Sequence, residues 1–117
     1  MKKIEAARAS AALIAEYANQ EAWTAVSKAI RAADAAKVSS TDAAAMRYAC
    51  AARSASTTAT AHATAARNAL TALARLNPTD GQISRSRYFV AESTEAARIA
   101  ELHALRAEAF FLNVLED

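Results

Sequence analysis

Two side chains in this sequence are of types that support nucleophilic chemistry: the single cysteine, Cys50, and the histidine twelve residues after it, His62. A Cys/His pair acts as nucleophile and base only when thiol and imidazole are within hydrogen-bond reach. Twelve residues along one helix span about 18 Å. A continuous helix through both residues therefore excludes the pair, and we expect His62 to be half-buried and hydrogen-bonded among alanines.

Metal and acid–base sites lack their minimal spacing. No His-x-x-x-His or Glu-x-x-His pair surrounds His103, although Glu101 and Glu108 lie in the same stretch. Carboxylate pairs such as Glu92 and Glu95 are common on solvated helix faces and are weak evidence for acid–base catalysis. One glycine excludes a glycine-rich phosphate loop. The sequence therefore predicts no enzymatic activity, no metal and no cofactor.

The middle of the chain carries side chains suited to binding a partner. Arginines and threonines recur there at helical spacing on one face: Arg53, Thr57, Thr60, Thr64, Arg67, Thr71 and Arg75. Arginines on such a face could bind acidic groups of another protein. The other interpretation is an ordinary solvated face.

A basic–aromatic cluster follows in the segment 83–89. Its members could contact phosphate or an acidic protein surface, or they could simply begin a helix that directs Phe89 inward. Elsewhere, Trp23 is the best candidate for a single exposed aromatic anchor. The expected partner-binding residues are Arg53, Thr60, Arg67, Arg75, Arg85, Arg87 and Tyr88.

Charge and cysteine content restrict the possible partners and the cellular compartment. A formal net charge of +2 is too small to make nucleic acid the main partner. One cysteine excludes an internal disulfide and suits a reducing cytosol. Lys2 and Lys3 resemble the start of a signal peptide, but Glu5 and Arg8 interrupt the apolar region that should follow. No apolar run approaches the about 20 residues needed to span a bilayer, so we expect a soluble cytoplasmic protein without a membrane partner.

Composition indicates an all-α fold in one domain of 117 residues. Roughly three residues in ten are alanine, the best helix former, whereas aromatic residues make up 6%. One glycine and one proline leave little to form tight turns. Because alanine buries little area, the core must gain stability from close approach of the helices.

Polar segments divide the chain into three helical stretches: Lys2 to Val38, Asp42 to Leu76 and Gln82 to Glu116. Ser40 or Thr41 is expected to cap the second stretch. Pro78 should stop it at Asn77. The pair Asp80-Gly81 is interpreted as a turn.

Two polar triplets, at 19–21 and 93–95, suggest bends or helix ends inside the outer stretches. We therefore predict an antiparallel bundle of three long helices, or of four to five if these are real breaks. The last stretch carries an apolar stripe consisting of Ile99, Leu102, Leu105, Ala109 and Leu112, with Phe110 alongside. In the middle stretch, small residues alternate at spacings of four and three, which predicts a heptad seam. Its positions are Ala45, Ala49, Ala52, Ser56, Ala59, Ala63, Ala66, Leu70 and Leu73.

Repeated Ala-Ala-Arg and Ala-His-Ala-x-Ala-Ala segments carry a resemblance to a known family. Ala-Ala-Arg occurs within residues 49–53 and 60–67 and Ala-His-Ala-x-Ala-Ala within 60–67, and the alanine-rich run 29–36 precedes them. In these segments the chain resembles the alanine-rich immunity proteins of bacterial toxin systems, over about Ala22 to Leu76. The family offers no catalytic motif to carry over, and nothing after Pro78 resembles it.

The resemblance implies a non-enzymatic inhibitor of a bacterial or phage protein, such as an immunity protein or an anti-CRISPR protein, that acts by steric occlusion. One alternative is a nucleic-acid-associated helical protein that uses the same arginines on phosphate. Another is a structural subunit that forms a homo-oligomer through an unpaired alanine face.

Overall fold

The computed structural model describes residues 2–116, which form three α-helices joined by two short connections. The helices are α1 (Lys2–Lys37), α2 (Asp42–Ala74) and α3 (Asp80–Glu116). Short connections make consecutive helices antiparallel. The bundle is 65 Å long with a cross-section of 18 × 16 Å. The prediction of an all-α bundle of three long helices is confirmed.

Side chains satisfy the free N–H groups at the starts of α2 and α3. The hydroxyl of Thr41 accepts from the backbone N–H three residues later at 3.2 Å, so Thr41 is the cap of α2. Thr79 and Gln82 form a reciprocal capping box, with N–H···O distances of 3.1 and 2.9 Å. This box starts α3 at Asp80, so the interpretation of Asp80-Gly81 as a turn is wrong.

The end of α2 lies two residues before the predicted boundary at Leu76. The helix ends at Ala74, and Asn77 adopts a φ of 51°, a left-handed conformation that asparagine tolerates better than most residues. Pro78 has no N–H with which to continue the helix. Arg8 of α1 reinforces this connection by donating from its Nε to the carbonyl oxygen of Leu76 at 2.7 Å.

Both outer helices continue through the polar triplets, so the predicted helix ends there are wrong. In α1, buried alanines continue at core positions on either side of Asn19, from Ala18 to Ala22. In α3, Ser93 is fully buried and its hydroxyl donates to the carbonyl oxygen of Val90 at 3.1 Å, as in a helix interior. The predicted bends follow from the positions of large side chains, whereas alanines form the core.

The core is a seam of small residues from all three helices. Every predicted position of the α2 seam is buried except Leu70, which is half-buried. The same alternation of four and three occurs in α1 at Ala11, Ala15, Ala18, Ala22, Ala25, Ala29, Ala32 and Ala36. In α3 the buried positions are Ser86, Ser93, Ala96, Ala100, Ala104 and Ala107. This repeat is typical of helices that pack along their whole length.

Most of the predicted apolar stripe of α3 faces solvent rather than the core. Leu102, Leu105 and Leu112 are 51%, 52% and 56% exposed, and Ala109 is exposed as well. Small facing residues bring the helices close together and, along most of the seam, leave no volume for leucine between them; Leu73, near the end of α2, is the leucine that is fully buried. Although the leucines of the stripe are exposed, no helix within residues 2–116 has the length and apolarity required to cross a membrane.

The aromatic side chains also lie outside the central seam. Trp23 is half-buried against an alanine cluster formed by all three helices, so its prediction as an exposed anchor is wrong. Tyr17 and Tyr88 are the aromatic residues that face solvent, at 60% and 57% exposure.

Candidate functional site

Arg53, the first predicted binding residue, connects α2 to α3. Its guanidinium donates to the carboxylates of Glu101 and Glu108, and the hydroxyl of Ser56 donates to Glu101 at 2.8 Å. The sequence pattern alone assigns both glutamates to a solvated face. Their seven-residue spacing, which sets them on the same flank of α3, is the signal that could have identified them. Arg53 is therefore already engaged within the bundle.

This cluster perturbs the groups that form it. Hydrogen bonds from Arg53 and Ser56 lower the pKa of Glu101 below its ordinary value, because they stabilise the carboxylate more than partial burial disfavours it. The pKa of Arg53 is raised by its hydrogen bonds to Glu108 and Glu101. Because the three charged side chains are about 40% exposed, we interpret the cluster as an ion-pair network of modest strength between helices.

Thr60 and Arg67 lie one and two heptads after Arg53, on the same flank of α2. Thr94 and Arg87 lie one and two heptads before Glu101 on α3. The antiparallel register that pairs Arg53 with Glu101 therefore sets Arg67 at the level of Arg87. Arg53 is paired with glutamates on this flank, whereas Arg67 and Arg87, two heptads away, are both exposed.

The threonine row is less available for binding than the sequence suggests. The hydroxyls of Thr57, Thr64 and Thr71 each donate to the backbone carbonyl four residues earlier, at 3.1 Å. Such bonds within a helix occupy the hydroxyl donor. On the exposed face of α2, the arginines and the hydroxyl of Thr60, which makes no hydrogen bond within residues 2–116, therefore supply the free donors.

In the structure, the predicted binding residues of the basic–aromatic cluster, Arg85, Arg87 and Tyr88, have separate surroundings. Arg85 points toward α1, where it pairs with Glu16 at 3.4 Å and lies over the ring of Phe89, 5.5 Å from its centroid. Arg87 is exposed. Tyr88 is exposed and meets Phe89 edge-on, with ring centroids 5.6 Å apart.

Three of the predicted arginines have no ion pair among residues 2–116: Arg67, Arg75 and Arg87. They belong to the half of the bundle formed by residues 2–19 and 60–90, which contains seven basic and three acidic side chains. The other half, residues 20–59 and 91–116, contains seven basic and eight acidic side chains. The small net charge therefore conceals a basic half, and its unpaired arginines are free to bind anions or carboxylates.

An apolar groove adjoins α2 in this basic half. It lies between α1 and α2 and encloses about 540 Å³. Ile14 lines it, and the exposed Leu13 and Tyr17 lie on adjoining turns of α1. The ring of Tyr17 meets that of His62 edge-on at 6.5 Å. The remaining lining comes from Ala7, Ser10, Ala11, Ala65, Asn68, Ala69, Ala72 and Leu76.

The chain matches no family model, no curated protein and no solved structure. Its chemistry must therefore be inferred from its own side chains. Cys50 is exposed, and α2 is continuous from Cys50 to His62, which excludes their pairing as nucleophile and base. His62 is half-buried as predicted, but its ring contacts Tyr17 rather than a polar partner within residues 2–116.

His103 takes part in a contact between α1 and α3. Arg106 donates from its Nε to the Nδ1 of His103 at 3.3 Å and from Nη2 to Asp34 at 2.9 Å. Partial burial and the charge of Arg106 lower the pKa of His103, and the charge of Asp34 opposes them. No group of three or more His, Cys, Asp or Glu side chains within residues 2–116 could hold a metal ion.

Proposed function

We propose that this chain is a non-enzymatic, cytoplasmic protein that binds and inhibits a protein of a bacterial or phage system, in the manner of an immunity protein or an anti-CRISPR protein. It acts by covering a working surface of its target. The resemblance over Ala22 to Leu76 supports this class, and that segment includes all of α2.

One observation carries the proposal: unpaired arginines and an apolar groove lie in the same half of the bundle, with Arg75 next to the groove residue Leu76. Arg67 and Arg75 lie on the exposed face of α2, whose α1-facing side forms one wall of the groove. Protein-binding surfaces combine an apolar centre with arginines and aromatic side chains. Exposed Tyr17 and Ile14 supply the apolar part of that combination here.

The bundle suits steric occlusion because it is ordered before it binds. Long helices packed along a continuous seam present α2 with little further loss of conformational entropy, so more of the contact energy is retained as affinity. A body 65 Å long can also cover a broad surface of its target.

The same arginines support a second candidate, a nucleic-acid-associated protein. Arg67, Arg75 and Arg87 could contact successive phosphates, because no carboxylate within residues 2–116 neutralises them. Such binding weakens steeply as salt rises, since it releases condensed counterions. The apolar groove favours the protein partner, because contacts with phosphate are made by charged and polar groups and not by an apolar surface.

The decisive experiment is capture of partners from a bacterial lysate on the immobilised chain, followed by mass spectrometry. The test variant is Arg67→Glu/Arg87→Glu. Its matched control is Lys28→Glu/Arg31→Glu, which makes the same change of net charge in the other half of the bundle. We expect the wild type and the control to capture the same specific protein, and the test variant to lose it.

Two outcomes would contradict the proposal. Recovery of only chaperones, or equal capture by both variants, would count against an inhibitor that uses this face. The nucleic-acid candidate is tested by binding to a labelled mixed-sequence DNA duplex or to single-stranded RNA. Binding that is lost when the salt concentration is raised moderately, and that Ile14→Gln does not change, would favour this candidate instead.

A further inference from the structure

The outward face of α3 carries an apolar heptad that nothing in the bundle covers. Leu102, Leu105, Ala109 and Leu112 follow one another at spacings of three, four and three, and all are exposed. The same spacing continues to Arg98 at one end and Glu116 at the other. Alternation of this kind is the signature of a helix that packs against a second helix.

The order of side chains within this heptad is self-complementary. If a second α3 runs antiparallel, with residues facing each other when their numbers add to 214, Leu102 faces Leu112 and Leu105 faces Ala109. The same alignment sets Arg98, whose guanidinium also binds Glu95 of its own helix, opposite Glu116 at both ends of the contact. Large side chains thus meet small or apolar ones, and each terminal charge meets its opposite. We propose that two copies of this chain pair through α3 in this antiparallel register.

The flanks of the stripe are compatible with such a contact. Arg106 lies on one flank and is paired with Asp34 of α1 at 2.9 Å. Glu108 lies on the other flank and is paired with Arg53 of α2. Neighbouring helices therefore neutralise the charges that would otherwise repel their copies across the two-fold axis.

The size of the contact predicts weak association. Residues 98–116 span about 27 Å of helix, which buries less area than a standard stable interface. The alanine seams cannot add to it, because they already pack against one another inside each bundle. We expect a monomer at low micromolar concentration and a dimer in the submillimolar range.

This dimer does not depend on the proposed function. The contact uses residues 98–116, whereas the arginines and the apolar groove lie within residues 2–19 and 60–90. Both binding faces remain free in the dimer. Loss of self-association and loss of partner binding can therefore be measured in separate variants.

Sedimentation velocity from low micromolar to submillimolar concentration tests the proposal, with circular dichroism as the check on folding. Leu105→Gln should abolish the concentration-dependent increase in sedimentation coefficient. Leu13→Gln changes an equally exposed leucine of α1 and should leave the increase intact. A wild-type chain that stays monomeric at all these concentrations would overturn the proposal. The apolar stripe of α3 would then be a candidate contact for a helix of another protein.

A charge exchange tests the register. Arg98→Glu alone sets two carboxylates against each other at both ends of the contact and should raise the dimer dissociation constant several-fold. Glu116→Arg alone sets two guanidinium groups against each other and should do the same. The double exchange restores opposite charges and should recover the wild-type constant. Parallel pairing would set each position against itself, so absence of this rescue, or a dimer that survives Leu105→Gln, would contradict the inference.

Discussion

Arg8 and Leu76, 68 residues apart in the chain, are joined by a hydrogen bond of 2.7 Å from the Nε of the arginine to the carbonyl oxygen of the leucine. The bond ties α1 to the connection that follows α2. It satisfies a backbone acceptor at the point where the chain reverses, next to Asn77 in its left-handed conformation.

Removing this bond should loosen that end of the bundle. Arg8→Ala is expected to lower the free energy of unfolding by about 1–2 kcal/mol, because a partly buried carbonyl loses a charged donor. Urea denaturation measures the change, and Lys3→Ala, an exposed change in the same helix, serves as the control. Equal effects of the two substitutions would show that the bond contributes no net stability.

The alanine seam should be far more sensitive to substitution than the exposed leucines. Ala59→Leu inserts a large side chain at a fully buried position and should cost about 1–3 kcal/mol. Leu102→Ala removes a large side chain from the surface and should change stability by less than about 0.5 kcal/mol. Thermal or chemical denaturation at low protein concentration compares them. The reverse order would mean that the leucines belong to the core.

The Arg53 cluster should respond to acid. Because Glu101 has a lowered pKa in the folded state, its contribution is present above the ordinary value of 4.5 and is lost as the pH falls through the lower folded pKa. Arg53→Ala should therefore cost about 1 kcal/mol at neutral pH and progressively less below pH 4.5. Urea denaturation at several pH values measures this. Arg31→Ala, which loses only a bond within its own helix, should show no such trend.

His103 should titrate below its ordinary value of 6.5, because partial burial and Arg106 disfavour its charged form. As the pH falls through 6.5, the unfolded chain takes up this proton first, so the His103 contribution to stability declines until the folded pKa is passed. Histidine NMR signals followed against pH give the midpoint. Asp34→Asn removes the charge that opposes the shift and should lower the midpoint further. A midpoint above the ordinary value would contradict this account.

The assignment of Thr41 as the cap of α2 can be tested by comparing its substitution with that of the neighbouring Ser40. Thr41→Ala should cost about 1 kcal/mol, because the N–H of Ala44 loses its acceptor. Ser40→Ala removes a similar hydroxyl that does not cap the helix and should cost much less. Denaturation curves of the two variants compare them, and equal losses would contradict the assignment of the cap.

Local sequence patterns predict much of this fold because their physical causes are local. The hydroxyl at Thr41, the ring of Pro78 and the small-residue heptad of α2 act within one or two helical turns. Each therefore appears in the sequence without reference to the other helices. The same reasoning applied to α1 and α3 removes the false helix ends, since small residues continue at helical spacing through both triplets.

The remaining features depend on how the helices are aligned with one another. The seven-residue spacing of Glu101 and Glu108 groups them on one flank of α3, but their engagement by Arg53 is not visible until the register of α2 against α3 is known. The apolar stripe of α3 could not be assigned to solvent from the sequence, because the hydrophobicity of a side chain does not show whether the space between two helices can hold it. The partner-binding assignment of Arg67, Arg75 and Arg87 stays a prediction.

A core made of alanine also determines how the protein responds to temperature. Unfolding would expose little apolar area for each buried residue, while long helices would release a large amount of polar backbone to water. Apolar exposure raises the heat capacity and polar exposure lowers it. The heat-capacity change of unfolding should therefore be small for 117 residues, and the curve of free energy against temperature correspondingly flat. This bundle should lose little of its stability on cooling.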